Sequence, residues 1–134
     1  MSFKHISDGL ESLLAQLEEE TSSIVDAHMG WLLEQGRNRK DGWDDRSKLT
    51  INWKRTGDSI VIYWHQVKWF GTVANKTRRS ALAWIRKPKD SNSYNLPKLL
   101  SYAQGWEVDM VTETERRAAK VRRKLKAYQR IAFA

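Results

Sequence analysis

Residues 49–70 read LTINWKRTGDSIVIYWHQVKWF, and they decide the fold class. Leu49, Ile51 and Trp53 alternate with Thr50, Asn52 and Lys54, which is the period-two pattern of a strand with one buried face. Thr56-Gly57-Asp58 supplies a short hairpin turn around a glycine. Ser59–Phe70 is dense in β-branched and aromatic residues, which favours a second, longer strand. Its apolar residues fall on both faces, so the pattern predicts a central strand covered on both sides. By alternation Ile51 shares a face with Trp53, and Ile62 with Trp64, which places those two indoles in the core.

Toward the C-terminus, Gly71–Arg79 reads as a basic loop and Ser80–Lys87 as a third antiparallel strand ended by Pro88. Lys89–Asn95 is a polar loop. From Leu96 to Ile131, Leu99, Ala103, Trp106, Met110, Ala118, Val121, Leu125 and Tyr128 recur at steps of three and four. That spacing predicts one helix of about nine turns, and Pro97 is harmless in its first turn. Acids stop at Glu115. Beyond it stand only cations: Arg116, Arg117, Lys120, Arg122, Arg123, Lys124, Lys126 and Arg130. Cations near a helix C-terminus suit the helix dipole, and so many leave a positive patch for a partner. The unbroken spacing also permits a coiled coil with a second copy.

Toward the N-terminus, residues 1–6 read as a short tail. Asp8 with Glu11 three positions on makes a capping-box-like start. Leu10, Leu13, Leu14, Leu17, Ile24, His28, Trp31 and Leu32 then share one helical face, which predicts an acidic helix over residues 8–35 that stops at Gly36. His28 on that face reads as a packed core residue. Thr21-Ser22-Ser23 and Gly30 lower intrinsic helicity, so this helix needs packing to hold. Its polar face bears Glu11, Glu18, Glu19, Glu20, Asp26 and Glu34, an electrostatic neighbour for the basic C-terminal helix. Residues 36–48 form a polar linker. The whole is one α+β domain over residues 1–134: a long N-terminal helix, a three-stranded antiparallel meander (residues 49–87) and a long C-terminal helix (residues 96–131).

The chain of 134 residues has a formal charge of +8 and a pI near 9.9, which points to a polyanion, most often nucleic acid. It contains no cysteine, which excludes disulfides, thiol nucleophiles and thiolate metal sites. No apolar run approaches the ~20 residues of a membrane span, and the N-terminus lacks a hydrophobic signal core. The expected location is the cytoplasm.

Catalysis finds little in the sequence. His5, His28 and His65 have no metal-binding spacing, and His65, in mid-strand, is expected to face solvent. Asp44-Asp45 alone stands for a metal-dependent nuclease, without a motif around it. No cofactor or metal is expected. The more specific pattern is basic and aromatic residues interleaved on the meander. Lys54, Arg55, Lys68, Trp69, Lys76, Arg78, Arg79, Arg86, Lys87 and Lys89 are the candidate nucleic-acid contacts there, joined by Arg116, Lys120 and Arg123 on the helix. Lys and Arg neutralise phosphates and release counterions; Trp or Tyr stacks on exposed bases. Of the seven Trp, Trp43 and Trp69 lie near loops and are expected to be exposed. The same residues also read as an ordinary core with a solvated basic face.

Ile51-Asn52-Trp53, Trp84-Ile85-Arg86-Lys87, Tyr94, Leu99, Ala103-Gln104-Gly105-Trp106-Glu107, Val111-Thr112-Glu113-Thr114-Glu115 and Val121-Arg122 resemble the MobI-like conjugative transfer accessory proteins of integrative conjugative elements and related plasmids. The resemblance covers roughly the last two-thirds of the chain. It implies a mobilisation factor acting at the transfer origin beside the relaxase, binding DNA or the relaxosome, with no catalytic residues of its own. Gly105 directly before Trp106, and Arg117-Ala118-Ala119, depart from the pattern. Two readings follow. One is a non-enzymatic DNA-binding accessory factor, on double-stranded DNA. The other is a helical interaction module, as a homodimer or bridging a relaxase, with little DNA affinity of its own.

Overall fold

The structure, a computed structural model, describes residues 3–38, 46–70 and 79–133. Their order is α1 (Phe3–Asn38), β1 (Leu49–Thr56), β2 (Ser59–Phe70), β3 (Arg79–Trp84), α2 (Leu96–Leu100), a 3-10 turn (Gly105–Glu107) and α3 (Val108–Ala132). The class is α+β, with the long N-terminal helix, the antiparallel sheet and the long C-terminal helix in the expected order.

The sheet has the order β1-β2-β3, so β2 is central. Ile51 pairs with Trp64 and Trp53 with Ile62 across β1 and β2, while His65 pairs with Trp84 and Val67 with Leu82 across β2 and β3. The hairpin turns on Gly57, whose φ of 60° is left-handed territory that glycine enters without steric cost. β3 is shorter than its apolar pattern. After Trp84 one more bond, Ile85 N–H to Trp64 O at 3.1 Å, closes the ladder, and the chain then leaves the sheet. Arg86 and Lys87 therefore sit in the connection, not in a strand.

Both long helices lie on one face of the sheet and pack on each other. Leu14, Leu17, Ile24 and Val25 of α1, Ile51, Ile60, Ile62 and Trp64 of the sheet, and Val111, Ala118, Val121 and Leu125 of α3 form the core. Trp64 is fully buried, whereas Trp53 is half-buried at the core's margin. The apolar face of α3 is thus taken up within the chain by α1 and β2. The acidic and basic helices are neighbours, as their charges suggest: Glu20 accepts from Lys124 Nζ at 3.2 Å. Among the described residues no helix is long and apolar enough to cross a membrane.

Three further expectations about the elements need correction. First, α1 begins at Phe3 and runs through Asp8 and Gly36 to Asn38. No glycine or proline precedes Asp8 to stop the helix, and the 21–23 triplet is tolerated because the buried Thr21 hydroxyl donates to Leu17 O at 2.7 Å. Second, the C-terminal helix is broken. Asn95 caps α2 by accepting from Lys98 N–H at 3.1 Å, but α2 lasts barely one turn. The chain then turns, and Gln104 and Glu107 form a reciprocal capping box that starts a new helical run. Gly105 has low helix propensity. Glu107 is held aside by Ser47 Oγ, which donates to it at 2.8 Å, and Trp106 packs on Trp31 with ring centroids 5.8 Å apart. The apolar spacing carries across the break, but around a corner. Third, among the described residues β2 is covered by helices on one side only, and no helix packs on its other face.

Candidate nucleic-acid interface

The open face is built by alternation. On β2 the side chains of Ile60, Ile62 and Trp64 go to the helices, so Val61, Tyr63, His65 and Val67 go to the other side. The β2–β3 register sets Trp84 directly opposite His65. The rings of Tyr63 and Trp84 stack, with centroids 4.2 Å apart and planes 24° from parallel. His65 meets both edge-on, at 4.8 Å and 4.9 Å. It is only 7% exposed, because those two rings cover it, so the expectation of a solvent-facing His65 fails. Trp84 itself is 56% exposed. Lys54 reaches across from β1 to place its Nζ 5.3 Å from the Trp84 ring centroid, a cation–π contact.

Where β3 ends, the 85–95 segment runs beside β2 and lines a groove. Tyr63 and Trp84 form one part of its wall, and Arg86, Lys87 and Lys89 another. Lys87 and Lys89 also line a second groove together with Arg122 and Lys126 of α3 and the backbone of Ile60–Ile62. The two grooves share their lysines, so aromatic face and helix cations form one continuous surface. Burial is the main cause that lowers the Lys87 ammonium below its ordinary range; the charges of Arg122 and Lys126 add to it, and those of Glu115 and Asp90 oppose it. Lys87 is itself held by the turn that follows it, donating to the carbonyls of Pro88, at 2.9 Å, and Ser91.

A buried network fixes this segment to α3. Glu115 accepts from Trp64 Nε1–H at 3.0 Å, Tyr94 N–H at 2.9 Å, Ser93 Oγ at 3.1 Å and Arg122 at 2.8 Å. Arg122 also donates to Asn92 O and Ile62 O, each at 3.0 Å. Trp64 N–H donates to the Tyr94 hydroxyl at 3.1 Å. The buried members of this set, Glu115, Arg122 and the Trp64 indole, find their partners within it.

The expected contacts therefore divide. Lys54, Arg86, Lys87 and Lys89 come together around Trp84. Arg55 points to the helix side, where it pairs with Glu18 at 3.1 Å, and Lys68 shares that parity on β2 at an exposed position. Arg116 is engaged by Glu113 through two bonds of 2.9 Å and 2.6 Å. Arg116, with Arg117 beside it, holds the Glu113 carboxyl down at about 2. Lys120 and Arg123 are exposed on α3, and the i, i+3 spacing of Lys120, Arg123 and Lys126 makes them neighbours along the helix. Lys76 and Arg78 lie outside the described residues, as do Trp43, Asp44 and Asp45. Arg79 and Trp69 are described as strand residues only. Tyr63, Trp84 as an exposed ring, and Lys126 were missed as site residues. The alternation of β2 already separated Tyr63 from Trp64, but only the β2–β3 register brings Trp84 beside it.

A family model described as MobI protein matches residues 17–134. No curated protein and no solved structure matches the chain.

Proposed function

Since the chain belongs to the MobI family, whose name marks a mobilisation-related accessory protein, we propose that it is a non-enzymatic DNA-binding factor of conjugative transfer, acting in the cytoplasm at the origin of transfer beside the relaxase. The observation that carries the DNA part is the continuous surface joining Lys54, Arg86 and Lys89 to Lys126 around the Trp84 ring. Cations set this way answer phosphates on a sequence-independent basis and make binding salt-sensitive. Two of the groups that burial perturbs lie away from this surface. His28 and Glu107 are sealed in the core against Thr114 and Ser47, out of reach of a substrate.

Fluorescence anisotropy with a transfer-origin duplex and a shuffled duplex, at two salt concentrations, tests this. The origin fragment should bind more tightly, and both affinities should fall steeply as salt rises. Equal binding of the two duplexes would contradict action at the origin, and no binding at low salt would overturn the DNA-binding reading.

A further inference from the structure

An exposed aromatic stack is an unusual thing for a small domain to leave uncovered. Trp84 is 56% exposed and Leu82, on the same face, 59%. This exposure is built in. Antiparallel pairing fixes Trp84 opposite His65, His65 braces both rings edge-on, and Tyr63 lies against Trp84 at 4.2 Å. The rings are held in place without being buried. Among its described strand residues this face presents Lys54 and no carboxylate, and Arg86 and Lys89 border the rings in the adjoining groove.

Duplex DNA hides the faces of its bases and offers an aromatic stack only base edges and the sugar-phosphate backbone. An unpaired strand offers both base faces for the rings and phosphates for the cations, and such stacking tolerates any sequence because every base has a π-face. A protein partner would gain from the apolar rings but meet a border of one sign. From this geometry we infer that the open sheet face binds single-stranded DNA, with a base stacked on the Tyr63–Trp84 pair and the backbone passing Lys54, Arg86 and Lys89. The inference rests on the DNA-binding reading above and names the form of DNA that this face takes.

The test compares a labelled oligothymidine with a labelled origin duplex of equal length. Replacing Trp84→Ala should weaken oligothymidine binding by about tenfold or more, and by a larger factor than it weakens duplex binding. Trp84→Phe, which keeps a ring, should retain most of the single-strand affinity. A second measurement needs no variant: oligothymidine carrying 5-iodouracil, irradiated on the wild-type protein, should cross-link to Trp84 or Tyr63. Single-strand affinity unchanged in a folded Trp84→Ala protein, or cross-links confined to other segments, would overturn the inference. Duplex binding without oligothymidine binding would overturn it alone, leaving the DNA-binding reading intact. Failure to bind either DNA would remove both.

Discussion

Arg122 and Lys126 stand one helical turn apart and serve opposite ends. Arg122 is buried and spends its donors on Glu115, Asn92 O and Ile62 O; Lys126 borders the open groove. In the sequence both belong to one unbroken basic run, because charge and period do not reveal which cation has a buried acid waiting for it. His28 was the easier case, since it lies on an apolar helix face and the structure buries it completely. Its Nδ1 lies 2.7 Å from Thr114 Oγ1, and Trp64 meets the ring edge-on at 5.1 Å. Burial moves its pKa from the ordinary 6.5 down to about 4. The unfolded chain takes up a proton on His28 below 6.5, whereas the folded one refuses it until about 4. The stability His28 contributes is therefore complete above 6.5 and is lost as the pH falls toward 4, by ~3 kcal/mol across that window. Glu107, raised by burial, runs the other way: its contribution is complete below the ordinary carboxylate pKa and is lost as pH rises. Urea denaturation from pH 7 to pH 4 of the wild type and of His28→Gln isolates the histidine. The variant should show a shallower acid decline, and equal declines would contradict the assignment.

At the scale of elements, the hairpin was legible to the residue in β2, and Gly57 marked its turn, because a period of two and a glycine leave few alternatives. The C-terminal helix was legible in its period but not in its continuity. Its break depends on Glu107 finding Ser47 and Trp106 finding Trp31, both far away in the chain. Trp106, Glu107, Thr114 and Glu115, which carry the family resemblance, turn out to be residues that tie elements together. Glu115 is the main tie, bonding α3 at once to β2 and to the 92–94 segment. Removing one member of a buried ion pair leaves the other uncompensated, so Glu115→Ala should lower unfolding stability by ~3–5 kcal/mol. The 86–89 segment should loosen with it. Chemical denaturation measures the first effect and amide hydrogen exchange the second; a loss below ~1 kcal/mol would mean that the network is not what fixes the groove.

The whole molecule is a two-layer domain with its charges sorted by side. Acidic α1 lies against basic α3, and the pairs Glu18–Arg55 and Glu20–Lys124 draw some cations toward it. Arg86 and Lys89 border the rings of the open sheet face, and Lys120, Arg123 and Lys126 are exposed along α3. Net charge announced a polyanion partner, but it did not say which cations were left over after internal pairing. That depends on the register of β2 with β3 and on the packing of α1 on α3, which are properties of the assembled fold. Arg86, Lys89 and Lys126 are expected to be such cations and to meet phosphates together. The measurement that tests it is the slope of log affinity against log salt for the origin duplex, taken for the wild type and for Arg86→Gln/Lys89→Gln/Lys126→Gln. Loss of three phosphate contacts should flatten the slope by roughly 2 to 3 and weaken binding at low salt. A variant with the wild-type slope and affinity would show that the DNA lies elsewhere.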